Sequence, residues 1–447
     1  MMQKAKPGWK SAGGFGGSRP RTFSQIGGGS HENDKKDKKE TGNAEGRKSK
    51  WIEYIALATV PLVMVLGNSM LVPILPDVEE RLGVSGFQSS LVITLFSVTA
   101  GLFIPIAGYL SDRFSRKAII LPSLAVYGAA GVLAGFAAVW ENYPLLIGSR
   151  ALQGLGAAGT APIAMALVGD LYKDGAESEA LGMIEASNGT GKVISPILGS
   201  LFALIVWYAP FFAFPVFCAL SLLAMMFLIK EPKGKRAHPK LGVYIRNIGT
   251  IFRKQGKWLI PAFITGSLGL FNLFGVLFFL SDMLEKPPYN IDGVAKGGIL
   301  AIPLLGLVIT AYTTGRVIKN NGKLMRILMN VGLLLMVGSL TLSIWLHGNL
   351  YVLLGLLTLS SVGTGLLLPC LNTLITGAVD RAHRGMITSL YSSLRFLGVA
   401  FGPPIFGWLV GISIEILFTT VAVLSAAALA FAFFMIKPPP KAGDQPQ

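Results

Sequence analysis

Charge is scarce in this 447-residue chain: 14% of its residues are Asp, Glu, Lys or Arg, against 52% hydrophobic. That balance excludes an ordinary soluble domain. Cysteine is scarcer still, with only two residues. Cys218 and Cys370 both fall inside apolar runs, so they read as small buried hydrophobes and imply no disulfide framework. The four histidines, His31, His238, His347 and His383, have no metal-ligand spacing. A phosphate-binding loop is missing as well. Gly191-Lys192 is followed by Val193 and lacks the first glycine at the required distance, so ATP drive is not expected. No nucleophile, base and orienter fall together, and the chain is expected to be neither an enzyme nor a holder of a metal or cofactor. The short alternating runs of a membrane β-barrel are absent too. Asn188-Gly189-Thr190 matches a glycosylation sequon, but it lies within an apolar run, where no acceptor is expected.

What the chain has instead is a series of apolar stretches of about 20 residues, each long enough to cross a bilayer as a helix. Twelve spans are expected, at 53–75, 88–110, 118–139, 143–166, 179–206, 210–229, 258–283, 297–317, 325–346, 350–376, 385–411 and 415–436. The formal charge of +16 would suit a nucleic-acid partner, but its placement argues against one. Lys and Arg concentrate in the tails and in alternate loops, which is the positive-inside pattern of a membrane protein with both termini in the cytoplasm. The expected domains are a disordered basic cytoplasmic tail (1–50), a six-helix bundle (51–230), a cytoplasmic linker (231–257), a second six-helix bundle (258–437) and a short cytoplasmic tail (438–447). The basic tail reads as a solvated, topology-setting segment, with contact to anionic lipid head groups as the alternative.

An internal repeat supports the division. A single offset of 207 residues brings Gly108 onto Gly315, Gly156 onto Gly363, Pro162 onto Pro369, Gly191 onto Gly398 and Pro196 onto Pro403. Two related bundles about an axis along the membrane normal, with a site between them, are expected to rock.

Four local patterns carry a resemblance. Between spans 2 and 3 stands Gly108-Tyr109-Leu110-Ser111-Asp112-Arg113-Phe114-Ser115-Arg116-Lys117, which resembles the signature loop of the major facilitator superfamily, with Ser115 in place of its second glycine. The second half keeps a degraded copy from Gly315 to Lys323, with Lys319 where the acid would stand. Span 1 contains Leu66-Gly67 and then Pro73-Ile74-Leu75-Pro76, similar to the pattern of twelve-span drug:proton antiporters. Span 4 carries Arg150 followed by Gln153-Gly154-Leu155-Gly156, similar to the family pattern centred on an intramembrane arginine. Span 5 carries Gly182, Gly191, Ser195, Pro196, Gly199 and Ser200, which resembles the antiporter motif of exporters, with two serines where glycines are usual. The resemblance covers the chain from Trp51 to Lys437. It implies an all-α major facilitator fold, proton-coupled export of a small amphiphile such as a drug, and a conformational latch at Gly108, Asp112, Arg113 and Arg116.

Ionisable residues deep in a span cost several kcal/mol unless paired or hydrated, so each is a functional candidate. Arg150, Glu185, Lys192 and Arg395 qualify, whereas Glu141, Asp282 and Glu415 lie near span ends and read as interfacial. Glu185 and Lys192 are two turns apart on nearly one helical face, which Asn188 and Ser195 share. Glu185 is the candidate proton-coupling carboxylate and Arg150 its tuning partner, against static packing roles for both. Lys192 and Arg395 leave the interior with more cations than acids, so an anionic or zwitterionic substrate is the second expectation. Asn68, Asn188 and Asn272 are candidates to line the cavity, with helix-to-helix hydrogen bonding as the alternative for Asn68 and Asn272.

The expected partners are a small-molecule substrate, protons and membrane lipids, with a monomer in a bacterial inner membrane. Competing readings are an exporter or flippase of an anionic metabolite, siderophore or lipid-linked substrate, and a non-transporting membrane sensor.

Overall fold

The computed structural model describes residues 51–172, 174–231, 241–318, 321–377 and 381–436, with the side chains of 174–179, 181, 182, 185 and 381–384 outside the description. Among the described residues the architecture is all helix and no strand. The spans are α1 (Trp51–Leu82, interrupted), α2 (Gly86–Arg113), α3 (Arg116–Val139), α4 (Tyr143–Leu171, interrupted), α5 (Asp174–Ala203) and α6 (Ala209–Leu228) in the first half. The second half has α7 (Leu241–Glu285), α8 (Gly293–Ile318), α9 (Gly322–Leu346), α10 (Leu350–Gly377), α11 (Arg381–Val410) and α12 (Ile414–Met435). Eleven are long and apolar enough to cross a membrane by that measure alone. The twelfth, α5, holds the charged stripe that lowers its hydropathy.

Two spans are broken where prolines forbid a continuous helix. In α1 the α-helix stops at residue 69, a 3-10 turn runs over Val72–Ile74, and Leu75–Leu82 resumes, because Pro73 and Pro76 have no N–H to donate backward. In α4 the break falls at Gly159 and Thr160, just before Pro162. One helix is longer than its apolar run. α7 begins at Leu241, so the later part of the expected linker is helical, and its Tyr244 ring packs 5.2 Å from that of Tyr109 in α2.

Packing follows the repeat. In the first half α1 lies on α5, α4 on α2 and α3, and α3 on α6; in the second half α7 lies on α11, α10 on α8 and α9, and α9 on α12. The halves meet along two seams, α2 with α11 and α5 with α8, which the offset of 207 exchanges.

The two ends differ. At the end of the first connection, around Leu82–Gly86, one apolar core includes Met70–Leu75 and Val78 of α1, Leu270–Leu284 of α7, Leu300 of α8 and Phe406 of α11. The Ser281 hydroxyl donates to the Val72 carbonyl (3.1 Å) and that of Thr94 to the Ala400 carbonyl (2.7 Å), tying the halves together there. Lys296 is buried at this end against Glu285, 3.2 Å away. At the basic-loop end the cores are separate: one contains only first-half residues around Tyr54, Ile120, Leu167 and Met225, the other only second-half residues around Phe263, Met329 and Ile387. Burial of apolar side chains therefore gives the halves one shared core at one end and two separate cores at the other, where they touch through contacts such as Tyr109 with Tyr244.

Candidate functional site

Between the halves lies a cavity lined from both sides, by Met64, Asn68, Phe96, Met165, Asn188 and Lys192 of the first half and Phe274, Ser392, Arg395 and Phe396 of the second. A mostly apolar wall with a few convergent polar groups is the usual form of a small-molecule site. The broken spans contribute directly: α1 presents Asn68 and Ser69 where its helix ends, and α4 presents Ala161 and Pro162 where its second segment begins.

Lys192 and Arg395 line this cavity together, from α5 and α11. Both are half-buried. The Arg395 guanidinium donates to Asn372 Oδ1 (3.4 Å) and lies 5.5 Å from the centre of the Tyr391 ring, while its Nε is buried with no hydrogen-bond partner. Asn188 Oδ1 is likewise buried without a partner. Two residues that line one cavity thus each keep a buried polar atom unfilled, a pattern that asks for an explanation such as a ligand's polar group reached on rearrangement.

Arg150 has a different setting. It is fully buried, and its N–H groups donate to the carbonyls of Val92 (2.8 Å) and Gly67 (3.2 Å), to Gln153 Oε1 and to Asn68 Oδ1 (3.4 Å), with its face 4.6 Å from the Phe96 ring centre. These contacts tie α4 to α1 and α2 and leave Arg150 one step from the cavity, through Asn68. Asn68 also reaches Ser97 (3.5 Å). The Glu185 side chain lies outside the described residues, as do Gly182 and Lys319. Asn272 is not among the residues lining this cavity; its amide nitrogen donates to Ser425 of α12 (2.9 Å), the helix-to-helix alternative, while its Oδ1 is buried without a partner.

In the stripe of α5, Gly191 packs on Leu62 of α1 and Gly199 on the Met70 carbonyl. Ser195 turns its hydroxyl back to the Gly191 carbonyl (2.6 Å), and Ser200 faces Gly297 of α8, so a glycine on the partner helix accepts the serine. Pro196 places its carbonyl against the same Gly297. α5 is thus the helix that touches both α1 in its own half and α8 in the other.

The loop after α2 holds its own half together. Asp112 pairs with Arg116 (2.5 Å), Arg116 reaches Asp170 of α4 (3.1 Å) and Ser111 (2.7 Å), and Arg113 donates to the Tyr109 hydroxyl (3.2 Å). Gly108 lies against the Ser389 hydroxyl of α11 and the Tyr109 ring against that of Tyr244 in α7, so this segment also touches the other half. Ser115, the departure from the family loop, caps α3 by accepting from Ala118 N–H (3.2 Å) and donates to Glu231. Glu231 also accepts from the N–H groups of Arg116 (2.8 Å) and Lys117 (3.2 Å) at the positive end of α3. Sequence reasoning missed it, although an acid just past a span and opposite a basic loop is a readable signal. The three end acids singled out as interfacial include Asp282, which pairs with Lys286 (2.8 Å), and Glu415, which lies 3.6 Å from His347.

Two six-helix bundles around a central cavity, with their cores fused at one end only, are the architecture of a membrane carrier. The family model of the Major Facilitator Superfamily matches residues 57–340 and 289–447, and the chain belongs to that superfamily of transporters. It is 45% identical over 386 residues to the bacillibactin exporter of Bacillus subtilis, covering 86% of this chain and 96% of that one. It is 25% identical to multidrug resistance protein 1 of the same organism, over 86% of this chain and 96% of the other. Among solved structures it is similar to the human organic anion transporter MFSD10 (TM-score 0.69, 21% identity, 86% of this chain and 99% of the other), which shows the same fold.

Proposed function

We propose that this chain exports a small anionic amphiphile of the siderophore class from the cytoplasm by alternating access, with inward proton movement as the drive. The carrying observation is that Lys192 and Arg395, one from each half, line one central cavity and that the Arg395 Nε there has no partner. A cation held in a span costs several kcal/mol to keep charged, and an anionic ligand set between Lys192 and Arg395 offsets part of that cost only while both halves close on it. Coupling of occupancy to closure is the requirement of a carrier. The 45% identical relative, an exporter of bacillibactin, supports the substrate class. With the basic loops read as cytoplasmic, the separate cores at that end support a cavity that opens toward the cytoplasm. The remaining parts of this reading are a monomer in a bacterial inner membrane, Glu185 as the coupling carboxylate with Arg150 as its neighbour, and the loop from Gly108 to Arg116 as the latch.

Proteoliposomes with an imposed proton gradient test it, using bacillibactin and a lipophilic cation as alternative substrates. The expected result is gradient-driven transport of bacillibactin that falls about ten-fold or more in Lys192→Met/Arg395→Gln, equivalent to about 1.4 kcal/mol of lost binding. Transport of the cation alone would sink the anionic reading in favour of multidrug efflux, which the Met64, Met165, Phe96, Phe274 and Phe396 lining also suits. No flux of either compound despite binding would leave a sensor, and wild-type coupling in Glu185→Gln would remove Glu185 from the mechanism.

A further inference from the structure

The two central cations are reached from two directions. Besides the cavity on the axis, a second one touches Lys192 and Arg395 and extends outward to Ala186 and Thr190 of α5 and Ile309 and Tyr312 of α8. Where it emerges follows from helix geometry. On α8 the exposed residues Ile302, Leu305, Ile309 and Tyr312 recur three or four positions apart, and on α5 Ala186, Thr190, Ile194 and Leu201 form a matching stripe. Both stripes are largely apolar and continue toward the end where the halves share one core, so they face hydrocarbon rather than a water-filled opening. Ile309 and Tyr312 are 54% and 50% exposed, yet the cavity they line reaches the buried side of the same seam.

The seam itself is narrow and small-sided. Gly189 faces Val308, and a Cβ on it would come within 2.9 Å of the Val308 side chain. Ala186 and Thr190 lie on the lipid side of that contact, and Lys192 on the interior side. At the lip, the Arg316 guanidinium lies 4.3 Å over the Tyr312 ring, one turn nearer the basic-loop end. A cation at the edge, two cations within, and a gap of small residues between them form a graded path for a negative head group.

We propose that the seam between α5 and α8 is a lateral portal, through which a bilayer-resident amphiphile with an anionic head group reaches Lys192 and Arg395 while its tail stays in hydrocarbon. This rests on reading those two cations as the anion-binding pair, and it adds the route: the substrate is taken from the membrane leaflet instead of from water. An amphiphile concentrates in the bilayer in proportion to its buried CH₂ groups, so a lateral entrance works at a far higher local concentration than an aqueous one. Moving the head group inward is opposed by desolvation, and Arg316 followed by Lys192 and Arg395 offsets it in steps.

Two measurements on the full-length protein in proteoliposomes test the portal. In the first, Thr190→Cys carries a bimane fluorophore, and quenching is compared for spin-labelled stearate, its uncharged methyl ester and spin-labelled phosphatidylglycerol at equal bilayer content. Stearate is expected to quench about three-fold more than the ester, with the excess lost in Lys192→Met/Arg395→Gln; that preference corresponds to about 0.7 kcal/mol. Equal quenching by acid and ester overturns the proposal. Quenching by phosphatidylglycerol as strong as by stearate supports the portal and assigns it to lipid head groups, and weak quenching by it assigns the portal to single-chain substrates. In the second, Thr190→Trp fills the lip, where an exposed position tolerates the larger side chain. Transport of a long-tailed alkyl sulfonate should fall about ten-fold while that of a short water-soluble sulfonate changes less than about two-fold, and equal effects on the two would overturn the portal. Failure of the export reading looks different: the unsubstituted protein would move neither sulfonate, yet the charge-dependent quenching would persist.

Discussion

The two halves share a backbone plan but treat buried charge in opposite ways. In the first half, Arg150 is fully buried and its donors end on carbonyl and amide oxygens of α1, α2 and α4. In the second half the offset of 207 puts Leu357 at that position, equally buried and packed in the apolar core. Arg395 of the second half corresponds instead to Asn188 of the first, and both line the central cavity with a buried polar atom unfilled. The repeat therefore preserves which positions face the axis and which face the core, while the charge at each position decides its work. A saturated cation fastens helices; an unsaturated one waits for a partner.

Substitution should split these two arginines by the largest margin. Arg150→Met removes the donor from four buried acceptors at once, and losing one side of a buried charged network costs about 3–5 kcal/mol. Arg395→Gln leaves Asn372 half-buried and able to bond elsewhere, so a loss under about 1 kcal/mol is expected. Thermal unfolding of purified protein in detergent compares them. Equal loss in both would erase the distinction between fastening and binding, and would remove the reason for assigning Arg395 to a ligand.

A second comparison concerns the glycines that the repeat pairs. A Cβ on Gly191 would meet the end of the Leu62 side chain at 2.9 Å, and Leu62 can rotate away. A Cβ on Gly398 would lie 2.1 Å from the backbone oxygen of Ser267, which can move only with α7 itself. Gly398→Ala is therefore expected to cost about 2–3 kcal/mol, the upper range of overpacking, and Gly191→Ala less than about 1 kcal/mol. Reversal of that order in unfolding measurements would mean that α11 and α7 slide more freely than α5 and α1.

Much of this was legible beforehand, for identifiable reasons. Apolar runs of membrane-crossing length and the offset of 207 give twelve spans in two bundles, because the bilayer imposes one length and one secondary structure on every crossing. Lys192 and Arg395 stood out since an ionisable residue in such a run has few inexpensive places to be. The partners of Arg150 were not legible: two of them are backbone carbonyls, Gly67 and Val92, which leave no mark in a sequence. For Asn272 the residue type leaves both cavity lining and helix-to-helix bonding open; its partner Ser425 lies 153 positions away, and only packing reveals it. The breaks at Val72–Ile74 and Gly159 follow from prolines that were visible, whose effect depends on whether neighbours supply the missing bonds.

The smallest effect lies at the starts of α3 and α9, which the repeat also pairs. α9 is capped locally: Asn321 accepts from the Leu324 N–H at 3.1 Å, three residues along its own chain. α3 has the local cap Ser115 and, in addition, the carboxylate of Glu231 from beyond α6, which takes the N–H groups of Arg116 and Lys117. An N-cap contributes about 1 kcal/mol wherever it sits, and a carboxylate at a helix start adds about 0.3–1 kcal/mol through the helix dipole. Asn321→Ala and Glu231→Gln should thus destabilise by similar small amounts, about 1 kcal/mol or less. Their reach should differ, because the Glu231 carboxylate ties the start of α3 to the segment leaving α6 while the Asn321 side chain bonds within its own helix. Hydrogen exchange is the discriminating measurement: Glu231→Gln should speed exchange at Arg116 and Lys117 and at the end of α6 together, whereas Asn321→Ala should act on the first turn of α9 alone. Exchange confined to α3 in Glu231→Gln would reduce Glu231 to a second cap, leaving the tie to α6 to Lys117, whose ammonium donates to the carbonyls of Met226 (2.8 Å) and Ile229 (2.7 Å).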